Sequence, residues 1–289
     1  MLPAGELAPK AETRAPVQAK QPQQAEQAQQ PRAPQQPRRG PQSKPRQQPP
    51  QPEQPKPQPP REQRQRPRKD EARGVERVVL VTGFDPFGGE RLNPSWEICQ
   101  RLPREIAGLR VETCRVPCEF RRAIEVVAEA IERHRPALVI SLGQAGGRTH
   151  MSVERVAINV DDARIDDNAG GKPIDEPIAA NGPAGYFATL PIKAMTLAMR
   201  EAGAPAEVSN TAGTFVCNHL MYGVLHFLAG SGNPARAGFI HVPYAAEQVT
   251  GKPGIASLSL DTMVAGVQAA IAAAAAREQD VAAAEGRLD

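Results

Sequence analysis

The sequence predicts one three-layer α/β/α sandwich domain with a mostly parallel central sheet, preceded by a disordered N-terminal tail. Three observations carry this reading. Composition changes abruptly near residue 70; beyond it, short apolar runs alternate with stretches of helical periodicity; and the apolar runs are continuous, as in strands buried on both faces.

Residues 1–73 read as a tail. Over the first 70 residues the chain is mostly Pro, Gln, Ala and Arg, and Leu2, Leu7 and Val17 are its only aliphatic residues beyond alanine and Met1. Such a segment cannot bury enough apolar surface to offset its conformational entropy. Polyproline-II stretches are expected around 48–60. Residues 1–70 hold 14 Lys and Arg against 6 Asp and Glu, leaving 21 against 26 for the rest, so a basic tail precedes a mildly acidic domain. A basic tail suits a solvating extension, residues upstream of the true start codon, or contact with nucleic acid or an anionic surface. With no aromatic residue to stack on bases, nucleic-acid contact is the less favoured of these.

No stretch is apolar enough to span a membrane, and the N-terminus lacks the apolar run of a signal peptide. Glu6, Glu12 and Glu26 argue against an Arg-rich transit peptide. Four scattered cysteines make no disulfide framework in a chain of this length, which fits a reducing, cytoplasmic setting.

From residue 74 the elements follow in order. Residues 76–84 (ERVVLVTGF) read as a buried strand, followed by a Pro/Gly loop and a helix announced by Asn93 with Pro94 just inside. A second strand is expected over 109–116. Ile124, Val127, Ala128 and Ile131 then form a helical stripe within 119–135, ended by Pro136. Residues 137–142 (ALVISL) suit a central parallel strand. Imperfect alternation over 151–161 predicts part of a hairpin beside the sheet. Helices follow at 191–202, 215–229 and 259–278, with strands at 206–211 and 238–242.

Cys217 lies where the run 209–220 (SNTAGTFVCNHL) passes from extended chain into helix. A thiol in a first helical turn faces free backbone N–H groups and the positive end of the helix dipole, which suits a nucleophile. His241 closes the strand at 238–242. Strand C-termini form the functional edge of open α/β sheets, so the two residues are expected to meet there. His219 is two residues from Cys217 on one helix and is poorly placed to pair with it; like His226 and His134 it reads as capping, surface or core.

Two glycine-rich loops leave strands at the same edge. Gly83–Gly89 carries Phe84 and Phe87, which suit either an apolar pocket or the core, and it lacks any nucleotide-binding signature. In Gly143–Arg148, Gln144 can both donate and accept, which suits recognition of an amide or lactam ring; structural glycines are the alternative. Glu154, flanked by apolar residues, either orients an imidazole or forms a surface ion pair with Arg155. Cys114 and Cys118 lack a second Cys/His cluster, so no metal is expected.

Together the stretches VTGFDPFGGERLNPSW (81–96), GQAGGR (143–148), VERVAINVDDARIDDN (153–168), SNTAGTFVCNHLMYG (209–223), GFIHVPYAAEQ (238–248) and SLSLD (257–261) resemble one family, the pyroglutamyl peptidase I cysteine exopeptidases. The resemblance runs through nearly all of 76–265 and has no counterpart for the tail. It implies an α/β/α fold, hydrolysis of N-terminal pyroglutamyl residues from peptides without a cofactor, and assembly into homo-oligomers. It also implies a triad of Cys217 as nucleophile, His241 as base and acid, and Glu154 as the group holding the imidazole. Phe84, Phe87, Phe215, Val216 and Ile165 are implied as an apolar slot for the pyrrolidone ring, with Gln144 a polar contact and Arg164 near developing charge. Two positions depart from the family pattern: Asp166 stands where proline is usual, and Cys118 where a small polar residue such as threonine is usual.

Overall fold

The computed structural model describes residues 77–286, so the expectation of a disordered tail at 1–73 lies outside the described residues. The elements run β1 (Val78–Phe84), α1 (Pro94–Arg101), β2 (Glu105–Ile106), β3 (Leu109–Val116), α2 (Arg122–His134), β4 (Leu138–Gln144), β5 (Met151–Glu154), β6 (Val156–Ile158) and β7 (Gly185–Phe187). They continue with α3 (Ile192–Glu201), β8 (Ala206–Ser209), α4 (Val216–Ser231), β9 (Arg236–Val242), β10 (Tyr244–Ala245), β11 (Ser257–Leu258) and α5 (Leu260–Ala276).

Seven strands form the main sheet in the order β2-β3-β1-β4-β9-β5-β8. β1 pairs in parallel with β3 and β4, and β4 with β9. The apolar runs that predicted central strands are buried along β1 and β4 without interruption. Helices α1, α3 and α5 cover one face through Ile98, Met195, Met199, Met263, Val267 and Ile271. On the other, α2 and α4 contribute Val127, Ile131, Leu220, Val224, Leu225 and Leu228. Each such side chain contributes roughly 1.5–3 kcal/mol by leaving water, so the sheet is clamped from both sides.

Helix boundaries follow local chemistry. The Asn93 side chain accepts the Ser95 N–H at the start of α1, with Pro94 in the first turn; α4 ends on Gly232 in the left-handed region.

The segment 151–161 departs from expectation. Only β6 forms part of an antiparallel pair beside the sheet, with β7, while β5 enters the main sheet antiparallel to β9 and parallel to β8. Alternation within a segment records which side chains are buried, but the pairing partners here come from residues 185–187, 206–209 and 240–241, far along the chain. The insertion of β5 brings Glu154 beside β9.

Candidate active site

The C-terminal ends of β1, β4 and β9 meet the start of α4 at one edge of the sheet. Gly143 of β4 lies opposite His241 of β9, and Ser152 of β5 lies opposite His241 on the other side. Glu154, two residues beyond Ser152, points from the same face. Its Oε1 accepts a hydrogen bond from His241 Nδ1 at 2.7 Å. A carboxylate only accepts, so Nδ1 carries the proton and Nε2 is the nitrogen left for Cys217.

Cys217 reaches this spot from the first turn of α4. A Cβ on Gly143 would stand 2.8 Å from its sulphur and 2.6 Å from the Phe239 ring, so the nucleophile occupies space that only glycine leaves open. No side chain caps the start of α4, and Cys217 is the second residue of that helix. The Phe239 ring packs against the imidazole, with centroids 4.8 Å apart.

Electrostatics match this geometry. Burial opposes the His241 cation, but the charge and hydrogen bond of Cys217, then those of Glu154, raise the imidazole to about 9. Burial would likewise raise the Glu154 carboxyl, yet the His241 hydrogen bond and charge and the Arg148 guanidinium hold it below its ordinary value. Glu154 is 0% exposed, which removes the surface ion-pair alternative. Its basic partner is Arg148, 2.7 Å away, while Arg155 turns to Asn210.

Cys217 and His241 open into a cavity of about 740 Å³. Phe84, Phe87, Phe215, Ile165, Gln144 and Arg164 all line it, along with Asn93, Cys118, Asp162 and Thr214. Ile165, 47% exposed, stands at its mouth. Val216 is the exception: it is completely buried in the core with Leu220 and Phe239 and does not line the cavity, because the first turn of α4 directs it toward the sheet.

Gln248, not singled out from the sequence, orders one wall. Its Oε1 accepts the Ala245 N–H at 3.0 Å, so its Nε2 is the donor to Gln144 Oε1 at 2.9 Å. Both lie within the recognised stretches, but nothing local announces that they touch across 104 residues. His219 is buried, one of the capping, surface or core placements expected of it: it pairs with Asp161 at 2.7 Å and accepts the Arg121 N–H at 2.7 Å.

The pyroglutamyl peptidase family profile matches residues 77–277, through every element that carries the site. The chain belongs to the pyroglutamyl peptidase family. A pyrrolidone-carboxylate peptidase of Cupriavidus pinatubonensis is 58% identical over 207 residues, 71% of this chain and 96% of that protein. The corresponding Erwinia tasmaniensis protein is 54% identical over 204 residues, covering 70% and 95%. Among solved structures, pyroglutamyl peptidase I of Bacillus amyloliquefaciens superposes with a TM-score of 0.69 at 46% identity, covering 71% of this chain and 100% of that one. A pyrrolidone carboxyl peptidase from Thermococcus litoralis gives 0.67 at 39% identity, covering 68% and 93%. The pyroglutamyl peptidase match stops at 277, yet residues beyond it pack back on the domain. Asp280 accepts the N–H groups of Lys193 and Ala194 at 3.0 and 2.9 Å, and Glu285 takes both arms of the Arg200 fork.

Proposed function

We propose that this protein is a cysteine exopeptidase that removes an N-terminal pyroglutamyl residue from peptides, with Cys217, His241 and Glu154 as its triad. The observation that carries the reading is the His241–Glu154 hydrogen bond beside a cavity that Cys217 and His241 line together with Phe84, Phe87 and Phe215.

The Cys217 thiolate attacks the pyroglutamyl carbonyl, and first-turn N–H groups of α4 meet the oxyanion, an effect typically worth about 3 kcal/mol per donor. The C–N bond breaks as His241 gives its proton to the departing amine, leaving a thioester on Cys217. Water, losing a proton to His241, then cleaves the thioester to pyroglutamic acid and free thiol. Glu154 holds the imidazole through Nδ1 and stabilises its charged form. The ring sits among the phenylalanines and Ile165 with Gln144 against its amide, and Arg164 lies near developing charge at the mouth.

Residues 74–289 form the catalytic unit, and copies of it associate. The β6–β7 ribbon offers an apolar patch for that, with Phe187 71% exposed and Ile158 38% exposed. The cytoplasmic assignment rests on four free cysteines. Among the described residues no helix is long and apolar enough to cross a membrane.

The test is release of a reporter amine from pyroglutamyl, prolyl and glutamyl amides. Only the first should be cleaved. Cys217→Ser should abolish cleavage, and Cys99→Ser, Cys114→Ser and Cys118→Ser should keep most of it. Comparable turnover of the prolyl amide, or activity in Cys217→Ser, would overturn the assignment.

A further inference from the structure

Arg148 ends the glycine loop after β4 and separates two cavities. One holds Cys217 and His241; the other, of about 390 Å³, is lined by Arg148 with His150, Glu207, Ser209 and Asn210. Arg148 Nη1 donates to Glu154 Oε1 at 2.7 Å, and the same oxygen accepts His241 Nδ1–H at 2.7 Å. Nη2 reaches the Thr211 carbonyl at 3.4 Å, in the segment that leads from β8 into α4. One guanidinium thus touches the acid of the triad and the approach to its nucleophile.

We propose that Arg148 is a positioning residue, fixing the Glu154 carboxylate against His241 and setting the pH window in which Cys217 and His241 hold their ion pair. This rests on the triad roles proposed above.

A buried carboxylate with one donor is free to turn about its own bonds or to take up a proton. Two donors converging on one oxygen hold its rotamer and its charge. The guanidinium also has an opposing effect. By sharing Oε1 it draws charge from the oxygen that steadies the imidazolium, so His241 gives up its proton more readily than beside an unshared carboxylate. A fixed cation lowers the proton affinity of every group around it, and its removal raises them together.

Other ionisable groups face the same spot: Cys217 from α4, Cys118 from the turn after β3, and Asp162 and Arg164 from the loop after β6. On the far side of Arg148 lie His150, ahead of β5, and Glu207 of β8, paired at 2.6 Å. None of these groups is itself altered by substitution of Arg148, so a shift common to both limbs of a pH profile reports Arg148.

The experiment measures kcat, KM and the pH profile of Cys217 alkylation by iodoacetamide in the full chain, for wild type, Arg148→Met and Arg148→Lys. Alkylation needs no peptide substrate, so it tests Arg148 even if wild type fails to hydrolyse pyroglutamyl amides, a failure that would sink the proposed function instead. In Arg148→Met, kcat should fall about tenfold or more with KM changed less than about threefold. Both limbs of the alkylation profile should move up by about half a pH unit or more. Arg148→Lys should keep the limbs near wild type and recover only part of kcat, since it restores charge without the fork. Unmoved limbs in Arg148→Met, or a raised KM with kcat intact, overturn the proposal; the second outcome would make Arg148 a contact for the peptide. If Arg148→Met does not fold, Arg148→Gln is read in the same way. Should neither fold, Arg148→Lys decides, and native kcat in that variant overturns the proposal.

Discussion

The sulphur of Cys217 lies 2.8 Å from the point where a Cβ on Gly143 would stand. The strand beside His241 is therefore glycine because the nucleophile occupies the place of its side chain. Gly143→Ala should displace the sulphur from Nε2 and cut kcat on the order of 10²-fold or more. It should also crowd the Phe239 ring and destabilise the fold by about 1–3 kcal/mol. Steady-state kinetics with a thermal melt would check both effects, and near-native kcat would contradict the geometry.

Glu154→Gln keeps the size of the side chain but removes the charge that steadies the imidazolium. We expect kcat to fall on the order of 10²–10⁴-fold, by analogy with loss of the orienting acid in serine triads, with KM changed far less. Alkylation of Cys217 near neutral pH should slow in parallel. A folded variant with native kcat would leave a Cys217–His241 dyad.

His241 ties stability to pH. Its imidazole is raised from the ordinary 6.5 to about 9, so across that interval the folded protein binds more protons at this group than the unfolded chain does. The stability it contributes is complete below about 6.5 and is lost as pH rises through about 9. Melting temperature measured over this range should decline with rising pH. Cys217→Ala should flatten the decline, because the strongest influence raising His241 is gone; an equal slope in the variant would contradict this origin.

A chain shortened to begin at Gly74 should keep the turnover and melting temperature of the full protein, because residues 1–73 bring almost no core-forming side chains. Parallel melts and kinetics test this. A large drop in either would mean that the basic segment packs on the domain.

At the other end, helix α3 has no side-chain cap of its own, and Asp280 supplies one from 86 residues away. Asp280→Ala should cost about 1 kcal/mol, seen in denaturant melts, and leave kcat unchanged because α3 lies on the sheet face opposite α4. A neutral effect on stability would show the cap to be dispensable.

Much of this layout is legible in the residues themselves. Continuous apolar runs placed β1, β4 and β9, and Asn93 with Pro94 placed the start of α1, because those signals are local. Cys217 at a helix start and His241 at a strand end could be picked out for the same reason. The position of β5 was not legible, since alternation does not name a partner strand. Arg148 was hidden behind Arg155, which adjoins Glu154 in sequence yet points away, while a residue six positions earlier returns across the loop. Val216 was misplaced in the opposite sense: it neighbours Cys217 in the chain, but one step around a helix turns it into the core.

The pair Gln144 and Gln248 has a consequence for what the cavity rejects. With the Gln248 oxygen accepting the Ala245 N–H and the Gln144 oxygen accepting from Gln248, protons run one way along three amide groups, and the NH₂ of Gln144 is the donor at the end of the run. With Gln144 as the proposed contact, a five-membered ring bearing a carbonyl would meet a complementary proton there. The ring of an N-terminal proline, almost the same in outline, would set a CH₂ where the lactam carbonyl lies and an ammonium where the lactam N–H lies, leaving the Gln144 proton without an acceptor. On the proposed binding mode, two rings too alike to be sorted by size would be sorted by polarity, and the sorting would originate at the Ala245 backbone amide.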